Sequence, residues 1–325
     1  MKLLFMGTPQ FGAAVLRRLA EVHEIVGVVT QPDRPAGRKN ILTPPPVKIA
    51  AQDMGLPVMQ VEKLRSAESQ AQLREFSAGA EAFVVASFGM ILPVAVLEMP
   101  PLKCINIHAS LLPAYRGASP VIQALLDGLD HSGVTIMLME KGLDTGPILT
   151  QVVTPIEPGE TQETLLTKLA RDGAELLIQT LPRWAAGEIT PRVQDSSQAS
   201  HTGIIQKEAG RINWQESAAL IERKSRAYEP WPGIYTVWNG QTLKLGRCTV
   251  YNEDALSEPP GPGLRQPGQV FLSGLTGTGP APQLLIATGE GFLAPQELQL
   301  PGKKMLPVTD FLRGYRQIVG STLGA

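Results

Sequence analysis

Leu102-Lys103-Cys104-Ile105-Asn106-Ile107-His108-Ala109-Ser110-Leu111-Leu112-Pro113 reads as a short buried strand running into a turn. Its chemistry-bearing side chains, Asn106 and His108, come only toward the carboxyl end of the apolar run. Open α/β sheets bind their ligands beyond the carboxyl ends of their strands, so one segment predicts both a central strand and a site. Working outward, apolar runs recur at Leu3 to Met6, Ile25 to Thr30, Ala82 to Ala86, Cys104 to Ile107, Val134 to Met139 and Ile148 to Val153. Several are apolar throughout, the mark of strands covered on both faces. Helical spacing separates them at Pro9 to Ala20, Pro44 to Met54, Ser66 to Phe76 and Ala118 to Asp127. Glu160 to Ala186 adds a long helix with Leu165, Leu166, Leu169, Leu176, Leu177 and Leu181 on one side. The order predicts an α/β fold, a doubly wound and mostly parallel Rossmann-like sheet, over residues 1–190.

Beyond it the pattern changes. From Pro191 to Gly203 the chain is polar without apolar period, so residues 191–206 are expected as a linker. Short runs at Ile234 to Trp238, Leu243 to Leu245, Thr249 to Tyr251, Gly268 to Leu272 and Leu284 to Thr288, divided by Gly and Pro, predict a small OB-like β-barrel over residues 207–325. Ala218 to Ala227 is its one clear helix, and Pro259 to Gly268 and Ser273 to Pro282 read as long surface loops.

The bulk properties exclude several classes. With 325 residues, 43% hydrophobic and 18% charged content and a net charge of -1, the chain describes a two-domain globular protein and names no polyionic partner. Cys104 and Cys248 lie far apart, which suggests neither a disulfide framework nor a zinc site. His23, His108, His131 and His201 stand at no metal-ligand spacing, so no metal is expected. The short apolar start at Met1 meets Gly7 and Pro9 at once, and no run approaches a membrane span; a cytoplasmic protein with no membrane contact is the expectation.

Gly7-Thr8-Pro9-Gln10-Phe11-Gly12 follows the first strand but continues with Ala13-Ala14, where a phosphate-binding loop needs Lys and Ser or Thr. It reads as a tight strand-to-helix turn, or as backbone N–H groups offered to a ligand. Ser110 lies in a Leu-Leu-Pro context without a nucleophile elbow, which leaves covalent acyl chemistry without its signature. Direct transfer suits the residues better. An Asn amide can donate to a developing oxyanion. An imidazole beside a carboxylate, here Asp144 of Gly142-Leu143-Asp144-Thr145-Gly146, can act as a proton donor to the same oxygen.

At these residues the chain resembles the folate-dependent formyltransferases. The resemblance rests on Asn106-x-His108, Ser110 to Pro113, Arg116-Gly117-Ala118-x-Pro120, Gly133-Val134-Thr135 and Gly142 to Gly146. It extends to Thr8-Pro9, Thr30 to Arg38, Phe88 to Pro93 and Pro230 to Gly233, nearly the whole chain. It implies 10-formyltetrahydrofolate as formyl donor without a metal, and as acceptor the amino group of charged initiator methionyl-tRNA, bound by a monomer. Asn106, His108 and Asp144 match the family's catalytic residues. Asn106 and His108 would face the formyl oxygen, while Asp144 orients His108 and manages protons. Ser110, Leu111, Leu112 and Pro113 match the folate-contacting stretch, and the backbone of Phe88, Gly89, Met90, Ile91 and Leu92 would line the pterin pocket. Arg34, Arg38, Lys39 and Lys48 match a loop that approaches tRNA, although Asn40-Ile41-Leu42 stands where more lysine is expected.

Charge adds little for RNA. Residues 201–325 hold 12 Lys plus Arg against 10 Asp plus Glu, a net of +2, whereas residues 1–200 hold 17 against 20, a net of -3. A tRNA contact would depend on clusters, Arg223 with Lys224 and Arg226, or Lys303 with Lys304. The stretch Gly203 to Lys207 also lacks a lysine that the resemblance leads one to expect. Rival readings are formyl transfer to another amine, hydrolysis of the folate to free formate, and a non-catalytic RNA-binding protein. The first two leave the second domain without a task, and the third leaves Asn106, His108 and Asp144 without one.

Overall fold

A computed structural model describes residues 1–37, 40–256, 266–274 and 283–324. Arg38, Lys39 and most of the two stretches read as long loops lie outside the described residues. The chain divides into two compact units. The first comprises Met1–Val121, Asp130–Glu157 and Thr164–Gly203; the second comprises Ile122–Leu129, Pro158–Glu163 and Ile204–Ala325.

Up to residue 203 the elements are β1 (Lys2–Gly7), α1 (Gln10–Ala20), β2 (Glu24–Thr30), β3 (Arg34–Ala36), β4 (Ile41–Thr43), α2 (Pro46–Asp53), β5 (Val58–Gln60), α3 (Ala67–Phe76), β6 (Ala82–Ala86), α4 (Val94–Leu97), β7 (Cys104–His108), β8 (Arg116–Gly117), α5 (Pro120–Asp127), β9 (His131–Leu138), β10 (Ile148–Pro155), α6 (Gln162–Ala185) and β11 (His201–Thr202). Seven strands form one sheet in the order β10-β9-β7-β6-β1-β2-β5. β1, β2, β5, β6 and β7 run parallel; β9 is antiparallel to β7, and β10 to β9. The chain winds from β1 through β2 to β5 and then returns to β6 on the other side of β1. The switch point therefore lies between β1 and β6, where doubly wound sheets open a crevice.

The central strands explain themselves. Leu3, Leu4, Phe5 and Met6 are fully buried, and every residue of β6 and β7 is buried, so both faces of the sheet are covered. Local signals set the helix ends. The Ser66 hydroxyl accepts the Ser69 N–H at 3.1 Å to cap α3, and Pro46 stands in the first turn of α2, where its missing N–H costs nothing. On α6, Leu165, Leu169, Gly173, Leu177 and Leu181 are buried at helical spacing. A Cβ on Gly173 would stand 2.8 Å from Ile107 and 3.1 Å from Val134, so the bare backbone lets α6 lie close on β7 and β9.

Three features depart from the expected pattern. Arg34–Ala36 and Ile41–Thr43 pair antiparallel as β3 and β4, and β5 is a three-residue edge strand too short to show a period. The polar stretch expected as a linker is built into the first unit as far as Gly203. There His201 and Thr202 pair in parallel with Arg116 and Gly117, and Gln194 is buried. Polar hydrogen bonds hold this stretch, which is why it carries no apolar period.

The second unit continues with α7 (Ala218–Ala227), β12 (Ile234–Trp238), β13 (Gln241–Leu245), β14 (Cys248–Tyr251), β15 (Val270–Ser273), β16 (Gln283–Ala287), β17 (Phe292–Pro295), β18 (Glu297–Gln299), β19 (Leu306–Pro307) and α8 (Val308–Tyr315). Its strands form two four-stranded antiparallel sheets, β12-β13-β18-β19 and β14-β17-β16-β15. The chain turns from one sheet into the other at Gly246-Arg247 and again at Gln296. These corners are tied by the Gly246 N–H to Glu297 O bond of 2.9 Å and the Gln296 N–H to Arg247 O bond of 2.7 Å. α8 was not legible beside α7; its Phe311 and Tyr315 pack on Trp238 with ring centroids 6.2 Å away in each case. Among the described residues no helix is long and apolar enough to cross a membrane.

Gly173→Leu is expected to push α6 off β7 and β9 and to cost about 1–3 kcal/mol of stability. Urea unfolding followed by circular dichroism checks this; an unchanged midpoint would mean that the helix does not rest on the sheet through Gly173.

Candidate active site

Asn106 and His108 are alternate residues of β7, so their side chains leave the same face of the strand. Asn106 is 9% exposed and His108 6%. The Asn106 amide makes no hydrogen bond within the described residues. Its polar atoms are not among the buried ones left without a partner, so the amide is open to solvent and available to a ligand.

Asp144 lies on the connection between β9 and β10. Its carboxylate approaches His108, with Nδ1 to Oδ1 at 3.8 Å, while its other oxygen accepts the Gly117 N–H at 2.8 Å. The nearest hydrogen bond of His108 is not to Asp144: Nε2 donates to the Tyr115 carbonyl at 3.0 Å. With a carbonyl as partner, Nε2 carries the proton and Nδ1 faces the carboxylate. Tyr115 and Asp144 both have left-handed backbones, with φ of +60° and +54°. Such strain costs about 1–3 kcal/mol per residue and clusters at functional sites.

The turn after β7 is pinned from below by Thr135 of β9. Its hydroxyl donates to Ser110 O at 2.6 Å and accepts the Leu112 N–H at 3.0 Å, and Gln151 of β10 reaches both the Thr135 hydroxyl and Leu112 O at 2.9 Å. Ser110 turns its own hydroxyl inward to Ala114 O at 2.7 Å and is buried, as is Leu112; Leu111 and Pro113 are half-buried. In the stretch after β6, Phe88 and Leu92 belong to the core, Met90 packs against it, and Gly89 and Ile91 are exposed. The Phe88 carbonyl is held by Thr8 and Gln31, both at 3.0 Å. What this stretch presents is therefore backbone and Ile91.

The expected RNA contacts are placed differently from one another. Arg34 is exposed. Lys48 is occupied: its ammonium donates to the two Asp33 oxygens at 2.8 and 2.9 Å and to Gln60 at 2.9 Å, and this pairing holds the Asp33 carboxyl below its usual range. On α7, Lys224 pairs with Glu216 at 2.6 Å and Arg226 with Glu222 at 2.6 Å. Arg223 lies over Gly128, where a Cβ would fall 2.0 Å from its guanidinium. Lys303 and Lys304 are exposed. Neither cysteine is available for chemistry, since burial pushes the Cys104 thiol up to about 12 and that of Cys248 higher still. Among the described residues no three His, Cys, Asp or Glu side chains gather to hold a metal.

Four participants escaped the sequence reading: the Tyr115 carbonyl, the Gly117 N–H, Thr135 and Gln194. Two are backbone groups that no side-chain pattern reveals. Thr135 stood inside a quoted motif and Gln194 in the stretch read as a linker, but only the fold shows what they touch.

Comparison with known proteins places the chain. The family described as Formyl transferase matches residues 1–181, and Formyl transferase, C-terminal domain, matches residues 204–316. The methionyl-tRNA formyltransferase of Chloroflexus aurantiacus is 47% identical over 315 residues, covering 97% of each chain. That of Geobacter sulfurreducens is 40% identical over 325 residues, covering 100% of this chain and 97% of its own. A solved N-formyltransferase from Helicobacter canadensis, in complex with folinic acid and dTDP-3-aminofucose, shares the fold with a TM-score of 0.62 at 20% identity, covering 91% of this chain and 99% of that one.

Gly117→Ala is expected to separate β8 from β11 and destabilise the protein by about 1–3 kcal/mol, because Gly117 has φ of +111° and a Cβ there would lie 2.2 Å from Thr202 O. Thermal and urea unfolding read this out, and a wild-type midpoint would contradict the role given to this backbone.

Proposed function

We propose how this chain, which belongs to the formyl transferase family in the branch of the methionyl-tRNA formyltransferases, carries out its reaction, the transfer of a formyl group to the amino group of methionyl-tRNA. The donor is 10-formyltetrahydrofolate. Asn106, His108 and Asp144 act on the formyl carbon and its oxygen. The observation that carries this reading is the Asn106 amide, which no protein group occupies and which stays open to solvent on the same strand face as His108, with Asp144 opposite the imidazole at 3.8 Å.

The methionyl amine attacks the formyl carbon, and the carbonyl electron pair moves onto oxygen. Asn106 N–H and the His108 proton meet that oxyanion; fixed donors of this kind lower the barrier because they need no reorganisation as charge develops. His108 Nε2–H rests on the Tyr115 carbonyl in the free protein, so donation to substrate exchanges one oxygen acceptor for another. The intermediate collapses with cleavage of the bond to the folate nitrogen, which takes up a proton. The proton lost by the amine passes through water to Asp144, a general-base contribution worth roughly a hundred- to ten-thousandfold. Leu111, Pro113, Ile91 and the backbone of Phe88 to Leu92 would hold the donor. Arg34, Lys303 and Lys304, exposed and without an ion pair among the described residues, are cations available to tRNA phosphates.

Purified protein is expected to transfer labelled formyl from 10-formyltetrahydrofolate to methionyl-tRNA and none to uncharged tRNA. Transfer to a ribonucleotide amine, with none to the aminoacyl-tRNA, would sink the assignment. Asn106→Ala should lower kcat roughly a hundred- to a thousandfold with folding intact. Asp144→Asn should lower kcat far more than it weakens donor binding; a wild-type kcat would remove Asp144 from the reaction.

A further inference from the structure

Behind Asp144 lies a buried arrangement that the reaction as described does not use. Gln194 is 7% exposed, and its side-chain amide is saturated on both sides. Nε2 donates to the Asp144 carbonyl at 2.8 Å and to the Gly146 carbonyl at 2.7 Å. Oε1 accepts from Arg116 Nε at 3.1 Å and from its terminal nitrogen at 2.8 Å. Arg116 is 4% exposed and forms no ion pair with any described carboxylate.

These contacts leave one orientation for the amide. Turned over, it would set its NH2 against two guanidinium donors and its oxygen against two carbonyls. Arg116 thus fixes which end of Gln194 faces the loop, and Gln194 fixes the backbone on either side of Thr145. That backbone needs fixing, since Asp144 has φ of +54° and a Cβ on Gly146 would lie 1.9 Å from Leu138 O. The same β8 segment that carries Arg116 offers the Gly117 N–H to the Asp144 carboxylate at 2.8 Å. One short strand therefore grips Asp144 twice, once at the carboxylate directly and once at the backbone through Gln194.

We propose that Gln194, oriented by the buried Arg116, is a positioning residue for formyl transfer, holding the Asp144 backbone so that its carboxylate faces His108. The proposal rests on the reading of Asp144 given above. Gln194 touches no reacting atom; it acts by geometry, and displacement of a reacting group by about an ångström can cost a hundredfold in rate.

Gln194→Glu separates the two contacts. It keeps an oxygen for Arg116, and thereby a partner for the buried guanidinium, but replaces the donor to both loop carbonyls with a second acceptor. The variant is expected to fold, to bind 10-formyltetrahydrofolate with wild-type affinity, and to lose roughly ten- to a hundredfold in kcat. Gln194→Met, which has similar length and no polar atoms, should lose kcat to a similar extent and serves if the first variant does not fold. The deciding measurement is a double-mutant cycle. Combined with Asp144→Asn, either substitution should add less than about twofold, because the group it positions is gone. A loss that multiplies in full on Asp144→Asn, or wild-type kcat in both Gln194 variants while Asp144→Asn is impaired, overturns the proposal. Wild-type kcat in Asp144→Asn itself fails the reading of Asp144 instead, and so is told apart.

Discussion

The hydrogen bond of 2.8 Å from the Gly117 N–H to the Asp144 carboxylate joins segments that have little else in common. One is the turn after β7, and the other is the connection between two antiparallel strands at the edge of the sheet. Neither is regular, and both carry left-handed residues, so neither would hold its shape alone. The bond also spends one carboxylate oxygen on structure and leaves the other toward His108. A carboxylate placed opposite an imidazole is only as useful as its orientation, and here a backbone amide holds the carboxylate directly.

That division of labour runs through the site. β7 supplies Asn106 and His108 from a rigid, fully buried strand, where the position of a side chain follows from the sheet. The loops supply Asp144 and the Tyr115 carbonyl, and they are made rigid by polar contacts: Thr135 and Gln151 beneath Leu112, and Gln194 behind Asp144. Apolar burial could not do this work, because a loop must satisfy its own backbone polar groups wherever water is excluded. The polar atoms drawn in to satisfy them become the framework of the site.

This explains what could be read from the amino-acid order and what could not. The six apolar runs of the sheet stood out because strands buried on both faces are mostly apolar, and α6 stood out because one face repeats Leu at helical spacing. Asn106 and His108 were visible as exceptions to that rule at the end of β7. Asp144 was singled out as the carboxylate of Gly142 to Gly146 that could serve His108, and the resemblance supported that pairing, since an isolated Gly-Leu-Asp-Thr-Gly has no period. Residues 191–203 looked like a linker because the stretch is held by hydrogen bonds of Gln194, Ser200 and Thr202, whose partners lie about eighty positions earlier at Tyr115 to Ser119 or about fifty earlier near Asp144. Hydrophobic periodicity cannot register a contact of that kind. Strands β3 and β4 and helix α8 were missed for a simpler reason: all are short.

The fate of the charged residues bears on how an acceptor is chosen. Counting Lys and Arg by position suggested basic clusters at Lys48 and on α7, yet Asp33, Glu216 and Glu222 hold three of those cations in ion pairs. A cation already paired offers less to a phosphate, because binding must first release its partner and repay its desolvation. Proteins that share this fold at 20% identity or less include a sugar 3N-formyl transferase, so the fold does not by itself select the acceptor. Among the described residues Arg34, Lys303 and Lys304 are exposed and form no ion pair, whereas the larger clusters that composition first brings to notice have lost cations to neighbouring carboxylates.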